Sequence, residues 1–138
     1  MRHYVLDANA VLRYLRGSGE DGSERVRSVV RDAEQGVTRL SVSVINLGEV
    51  LYILMKTVDE ARALQMIREL RQVISVVSAD VERTTQAAIL KYRYKLGYAD
   101  SFAAVLAMEY DATLVSADPS FEKLGKKLKW MKLPRFRG

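Results

Sequence analysis

The chain has no cysteine. That removes disulfides, thiolate nucleophiles and cysteine-ligated zinc or iron–sulfur sites, and it is compatible with a reducing cytoplasm. Histidine is nearly as scarce: His3 stands alone near the start, so chemistry built on paired histidines is excluded. No GxSxG elbow and no Walker A lysine motif occurs. No stretch approaches the ~20 apolar residues of a membrane span. The apolar run after Met1-Arg2-His3 is broken by Asp7 and Asn9 before it reaches the length of a signal peptide. A cytoplasmic, soluble protein is expected. Asparagine is limited to Asn9 and Asn46. What remains for catalysis is carboxylates, hydroxyls, lysines and a bound metal.

Four carboxylates stand out by where they sit. Asp7 ends the run Tyr4-Val5-Leu6. Glu49 interrupts Val44 to Gly48 and Val50 to Met55. Asp100 precedes Ser101-Phe102-Ala103-Ala104-Val105-Leu106, and Asp118 follows Ala112 to Ala117. An unpaired buried carboxylate costs several kcal/mol, on the order of the desolvation of an ion, and has to be neutralised, paired or bound to a cation. No basic residue is interspersed in these runs. A shared divalent cation would serve all four. Each also has an ordinary explanation: Asp7 or Asp100 as a turn or cap, Asp118 before Pro119 as a helix N-cap, Glu49 directed to solvent or to a distant arginine. The signal is the set.

At 138 residues and 49% hydrophobic content, one compact domain over 1–138 with a real core is expected. Residues 3–7 read as a buried strand and 9–16 as a helix. A second helix runs over 20–35 and stops at Gly36. A strand at 38–42 follows, then a helix over 43–56 that is apolar nearly all round and so expected to be buried on several sides. Thr57-Val58-Asp59-Glu60 matches a capping box opening a helix over 59–71. Val73 to Val77 is a third strand. Helices over 80–96 and 99–110, a strand at 112–116, a Pro119 helix capped by Asp118, and an edge strand at 128–133 complete the chain. Strands alternate with helices, which predicts an α/β fold with a mostly parallel sheet of four to five strands covered on both faces. Ligands in such sheets bind beyond the carboxyl ends of the strands. Asp7 and Asp118 fall at two such ends, and Glu49 and Asp100 fall early in helices able to face the same edge.

Gly17-Ser18-Gly19-Glu20-Asp21-Gly22 fits GxGxxG, but it follows a helix rather than a strand, and its acids would repel phosphate; it reads as a loop. Net charge is +5, with +6 on residues 119–138 and −1 on the rest. A basic end suits an anionic partner such as RNA, or is a solvated tail. Lys91-Tyr92-Arg93-Tyr94-Lys95 suits phosphate contact and base stacking, or is an exposed face with tyrosines packed inward. Trp130 reads as core.

The four acidic segments, Tyr4 to Leu12, Ile45 to Val50, Leu96 to Ala104 and Leu114 to Phe121, together resemble the PIN-domain family of metal-dependent nucleases, and most closely its VapC-type toxins of toxin–antitoxin pairs. The likeness covers essentially the whole chain. It implies a three-layer α/β/α PIN-like fold and a Mg²⁺- or Mn²⁺-dependent endoribonuclease. Asp7, Asp100 and Asp118 would be metal ligands, and Glu49 would hold a second metal or help deprotonate water. The usual Thr or Ser after the first Asp is replaced by Ala8-Asn9. Asn9 and Ser116 would orient the ligands, while Arg13, Lys91, Arg93 and the tail would hold the RNA backbone. The resemblance also implies a homodimer and a cognate antitoxin that masks the site. Two other readings stand beside it. A haloacid-dehalogenase-like phosphatase also carries Asp after strand one, but wants a second Asp where Asn9 stands. A PIN-like module could act in RNA processing outside a toxin pair, or bind RNA or protein without cleaving.

Overall fold

The computed structural model describes residues 1–17 and 22–135. Most of the GxGxxG segment therefore lies outside the described residues, as does the start of the helix expected from residue 20. Five strands form one sheet in the order β3-β2-β1-β4-β5: β1 (Arg2–Leu6), β2 (Thr38–Ser43), β3 (Ser75–Val77), β4 (Thr113–Ser116) and β5 (Lys129–Lys132). Every pairing is parallel, with Tyr4 beside both Leu40 and Thr113. The mostly parallel expectation is met, with no antiparallel strand among the described residues.

The continuous apolar run of β1 follows from burial on both faces. Tyr4 and Leu6 point into a core built from helices α1 (Ala8–Arg16), α2 (Ser23–Glu34), α3 (Val44–Thr57) and α4 (Glu60–Leu70). Val5 points the other way, into a core with α5 (Val81–Tyr94), α6 (Tyr98–Glu109) and the 3₁₀ segment Pro119–Lys127. β4 alternates likewise, with Leu114 in the second core and Val115 in the first. This gives three layers. The chain steps from β1 outward to β3, then crosses back over β1 to β4. The switch point therefore lies between β1 and β4, where a ligand crevice forms in such sheets.

Two local expectations are corrected. Thr57 does not open α4. Its hydroxyl donates back to the Ile53 carbonyl at 2.8 Å, and Asp59 is the cap, accepting from the Arg62 amide at 2.7 Å. The shorter carboxylate one residue before the helix reaches the open amides directly. Nor is α3 buried on several sides. Asn46, Leu47, Val50 and Leu54 face inward, while Tyr52 (62% exposed) and Met55 (36%) reach solvent. The 119 segment forms as expected, capped by Asp118, but as 3₁₀ turns kinked at Gly125, whose φ of 52° suits glycine. Trp130 is half-buried against Phe121, and its indole N–H donates to the Ser116 carbonyl at 3.1 Å. Tyr94 packs partly inward under Lys127, whereas Tyr92 is exposed. Among the described residues, no helix is long and apolar enough to cross a membrane.

Candidate active site

Asp7 follows the last residue of β1 in extended conformation (φ −83°, ψ 177°). Its Oδ1 accepts the Ala10 amide at 2.9 Å, capping α1, and its Oδ2 accepts the Ser116 hydroxyl. The Ser116 oxygen in turn accepts the Asp118 amide at 3.0 Å. One fully buried hydroxyl thus joins the ends of β1 and β4 across the switch point. Asp118 Oδ1 accepts the Ser120 amide at 2.9 Å. The capping and functional readings of Asp7 and Asp118 are therefore compatible: Oδ1 of each caps, and both residues line the pocket beyond the strand ends.

Asp7, Glu49, Asp100 and Asp118 line one pocket of about 520 Å³, together with Asn9, Arg13 and Arg135. The four carboxylates come from four elements, and the fold brings all of them to the β1–β4 edge. Lys91 and Arg93 do not line it. Lys91 donates to the Leu96 carbonyl at 3.2 Å, and Arg93 is exposed on α5. His3 lies elsewhere, hydrogen-bonded to Ser41 at 2.7 Å and stacked on Tyr110.

Burial differs among the four, and this corrects the premise that all are withdrawn from water. Asp7 is 3% exposed, Asp100 and Asp118 are partly buried, and Glu49 is exposed at the pocket mouth. A carboxylate in an apolar helix escapes desolvation when its turn faces an opening. Burial pushes Asp7 up to about 6, with Asp118 adding to the rise; the Ser116 hydroxyl, the Ala10 amide and Arg13 pull the other way. Asp100 is pushed up to about 7, by burial first, then by Asp118, Asp7 and Glu49. For Asp118, burial alone would raise the pKa. The hydrogen bond from Asp100, the Ser120 contacts and Arg135 outweigh it, and the group titrates below its ordinary value. Asp100 and Asp118 titrate as a pair. As pH falls through about 7, Asp100 takes up a proton, while Asp118, which accepts from it, stays ionised to lower pH.

Three residues were not read for these places. Arg13, expected at an RNA surface, is 1% exposed in the pocket wall and is the basic neighbour that Asp7 seemed to lack. The signal was its position six residues after Asp7, fewer than two turns along the helix that Asp7 caps. Arg135 came under the basic tail only in general terms, yet it reaches Asp118 electrostatically. Asn46 is fully buried, and its Nδ2 donates to Glu49 Oε1 at 3.3 Å and to the Ala99 carbonyl at 3.2 Å.

The donor set is all oxygen, which suits hard divalent cations. Burial first, and neighbouring carboxylates after it, disfavour the ionised forms of Asp7 and Asp100, and a cation in the pocket would relieve both. Among the described residues, no three acidic or histidine side chains are placed so as to hold an ion between them. Mg²⁺ keeps several waters and usually takes only one or two carboxylates plus substrate phosphate. The residues present therefore fit such an ion in an open site, not in a closed cage.

A sequence model of the PIN domain matches residues 4–127. Sequence comparison alone matches no curated protein. Among solved structures, the chain is similar to VapBC from Salmonella typhimurium bound to DNA (TM-score 0.76, 17% identity, 96% of this chain and 98% of that one). It is also similar to VapBC2 from Rickettsia felis bound to a promoter DNA fragment (0.75, 16%, 95% and 98%). A third is VapC20 from Mycobacterium tuberculosis, described as a toxin that cleaves the sarcin–ricin loop (0.68, 16%, 88% and 95%).

Proposed function

The chain belongs to the PIN domain family, and from that premise we propose that it is a Mg²⁺- or Mn²⁺-dependent endoribonuclease, the toxin of a type II toxin–antitoxin pair. One observation carries the reading: four carboxylates from four separate elements line a single pocket at the sheet's switch point, and burial with neighbouring carboxylates raises two of them, Asp7 to about 6 and Asp100 to about 7.

In this reading Asp7, Asp100 and Asp118 would hold the cation, one or two of them directly and the rest through its waters, and Glu49 at the mouth would take a proton from the attacking water or support a second ion. The ion, when bound, supplies acidity to a water and charge for the scissile phosphate. The chain's own residues do the rest. Ser116 fixes the Asp7 carboxylate and the Asp118 backbone together. Arg13 sets a buried positive charge near Asp7. Asn9 lines the same wall, where its amide is available to orient a ligand. Arg135 stands at the pocket, and Lys91, Arg93 and the tail lysines form outlying phosphate contacts. Such contacts position the backbone without reading sequence.

The proposal extends to a single domain spanning 1–138, a cytoplasmic setting, a homodimer, and a cognate antitoxin protein. Support for the last comes from the similar structures, which include toxin–antitoxin complexes. The test is cleavage of end-labelled structured RNA by the purified protein with Mg²⁺, Mn²⁺ or EDTA, beside Asp100→Asn. Metal-dependent cleavage lost in the variant is expected; equal cleavage by both would refute the assignment.

A further inference from the structure

Asn46 is an unusual residue to find in the first turn of a helix that packs against a core. It is 0% exposed. Both groups at its Nδ2, the Glu49 carboxylate and the Ala99 carbonyl, can only accept, so the amide nitrogen must face them and the orientation is determined. Its Oδ1 is buried with no hydrogen-bond partner among the described residues. Burying a half-satisfied amide costs free energy that a leucine would avoid. What the amide secures is a join between two elements. Glu49 is three residues on, on the same face of α3. Ala99 is the residue before Asp100, in the first turn of α6. Ser116 makes the matching join on the other side of the pocket, between Asp7 and the Asp118 amide.

We propose that Asn46 is a positioning residue of the site: its amide holds the Glu49 carboxylate at the pocket mouth and ties that helix to the backbone turn that presents Asp100. The inference rests on the metal-site reading above. Asn46, 53 positions from Ala99, is then the brace that keeps two of the four carboxylates in register. Partners that orient ligand groups typically contribute about 10- to 100-fold to metal affinity.

The experiment is a double-variant cycle on the full chain, with Mn²⁺ binding read by electron paramagnetic resonance and folding checked by circular dichroism. The proteins are wild type, Asn46→Leu, Glu49→Ala and the double variant. Asn46→Leu should stay folded and weaken Mn²⁺ binding by about tenfold or more. In the Glu49→Ala background it should cost clearly less, because the group it acts through is gone. If Asn46→Leu misfolds, Asn46→Ser, small and polar, carries the same comparison. Wild-type binding that Asn46→Leu leaves unchanged, or losses that simply multiply in the double variant, would overturn this inference alone. Absence of Mn²⁺ binding by wild type would overturn the metal-site reading and the inference with it.

Discussion

Asp7→Asn should make the metal-free protein more stable at pH 8. Asp7 is buried, and its pKa stands at about 6 against the ordinary 3.8. Between those two values the folded protein binds more protons than the unfolded chain, so stability falls as pH rises through that window. Above about 6 both states are ionised and the deficit is constant. A difference of about 2 units at 1.36 kcal/mol each gives about 3 kcal/mol. Asparagine avoids that deficit. It keeps the α1 cap, since Asn and Asp cap equally well, and its amide can donate to a Ser116 hydroxyl turned to accept it. For a chain of this length, 3 kcal/mol corresponds to a melting temperature higher by about 10 °C. Thermal unfolding in EDTA from pH 4 to pH 8 is the assay. The variant's advantage should be near zero at pH 4, grow to about pH 6, and then level off. Added Mn²⁺ should stabilise wild type and narrow the gap, because an ion bound only by the folded state adds RT ln(1 + [L]/Kd). An Asp7→Asn protein less stable than wild type at pH 8 would refute the account, since the carboxylate would then be a net stabilising partner.

Ser116→Ala removes the hydroxyl shared by Asp7 and the Asp118 amide; it should cost about 1–3 kcal/mol in denaturant unfolding and about 10- to 100-fold in metal-dependent cleavage. Gly97→Ala tests space instead of conformation. The backbone there (φ −59°, ψ 149°) suits any residue, but an added Cβ would lie 3.0 Å from Asp100 Oδ2. Stability should barely change while cleavage falls, and unchanged cleavage would show that Asp100 tolerates the push. At limiting Mn²⁺, cleavage should rise between about pH 5 and pH 8, because protons on Asp7 (about 6) and Asp100 (about 7) compete with the cation. Saturating metal should move that profile to lower pH, and a profile indifferent to metal concentration would argue against the competition.

Most of the fold was legible because its causes are local. Tyr4-Val5-Leu6 is apolar without alternation, which a strand buried on both faces requires, and β1 is such a strand. Helix limits followed from Asp118-Pro119 and from Gly36, whose φ is 74°. The Thr57 capping box failed because two residues in one turn competed to be the cap, and a sequence pattern does not say which side chain reaches the open amides.

The sequence by itself determined the element order and the parallel sheet and pointed to the four candidate carboxylates, since side-chain periodicity and residue type are properties of neighbours along the chain. Tertiary structure alone decided what state those carboxylates are in. Asp7 meets Ser116 across 109 positions, Asn46 meets Ala99 across 53, Arg13 is withdrawn from the surface to stand behind Asp7, and Glu49 opens to solvent from an apolar helix. Protonation and burial depend on the dielectric and on the charges within a few ångströms, and those neighbours are assembled only when distant segments pack together.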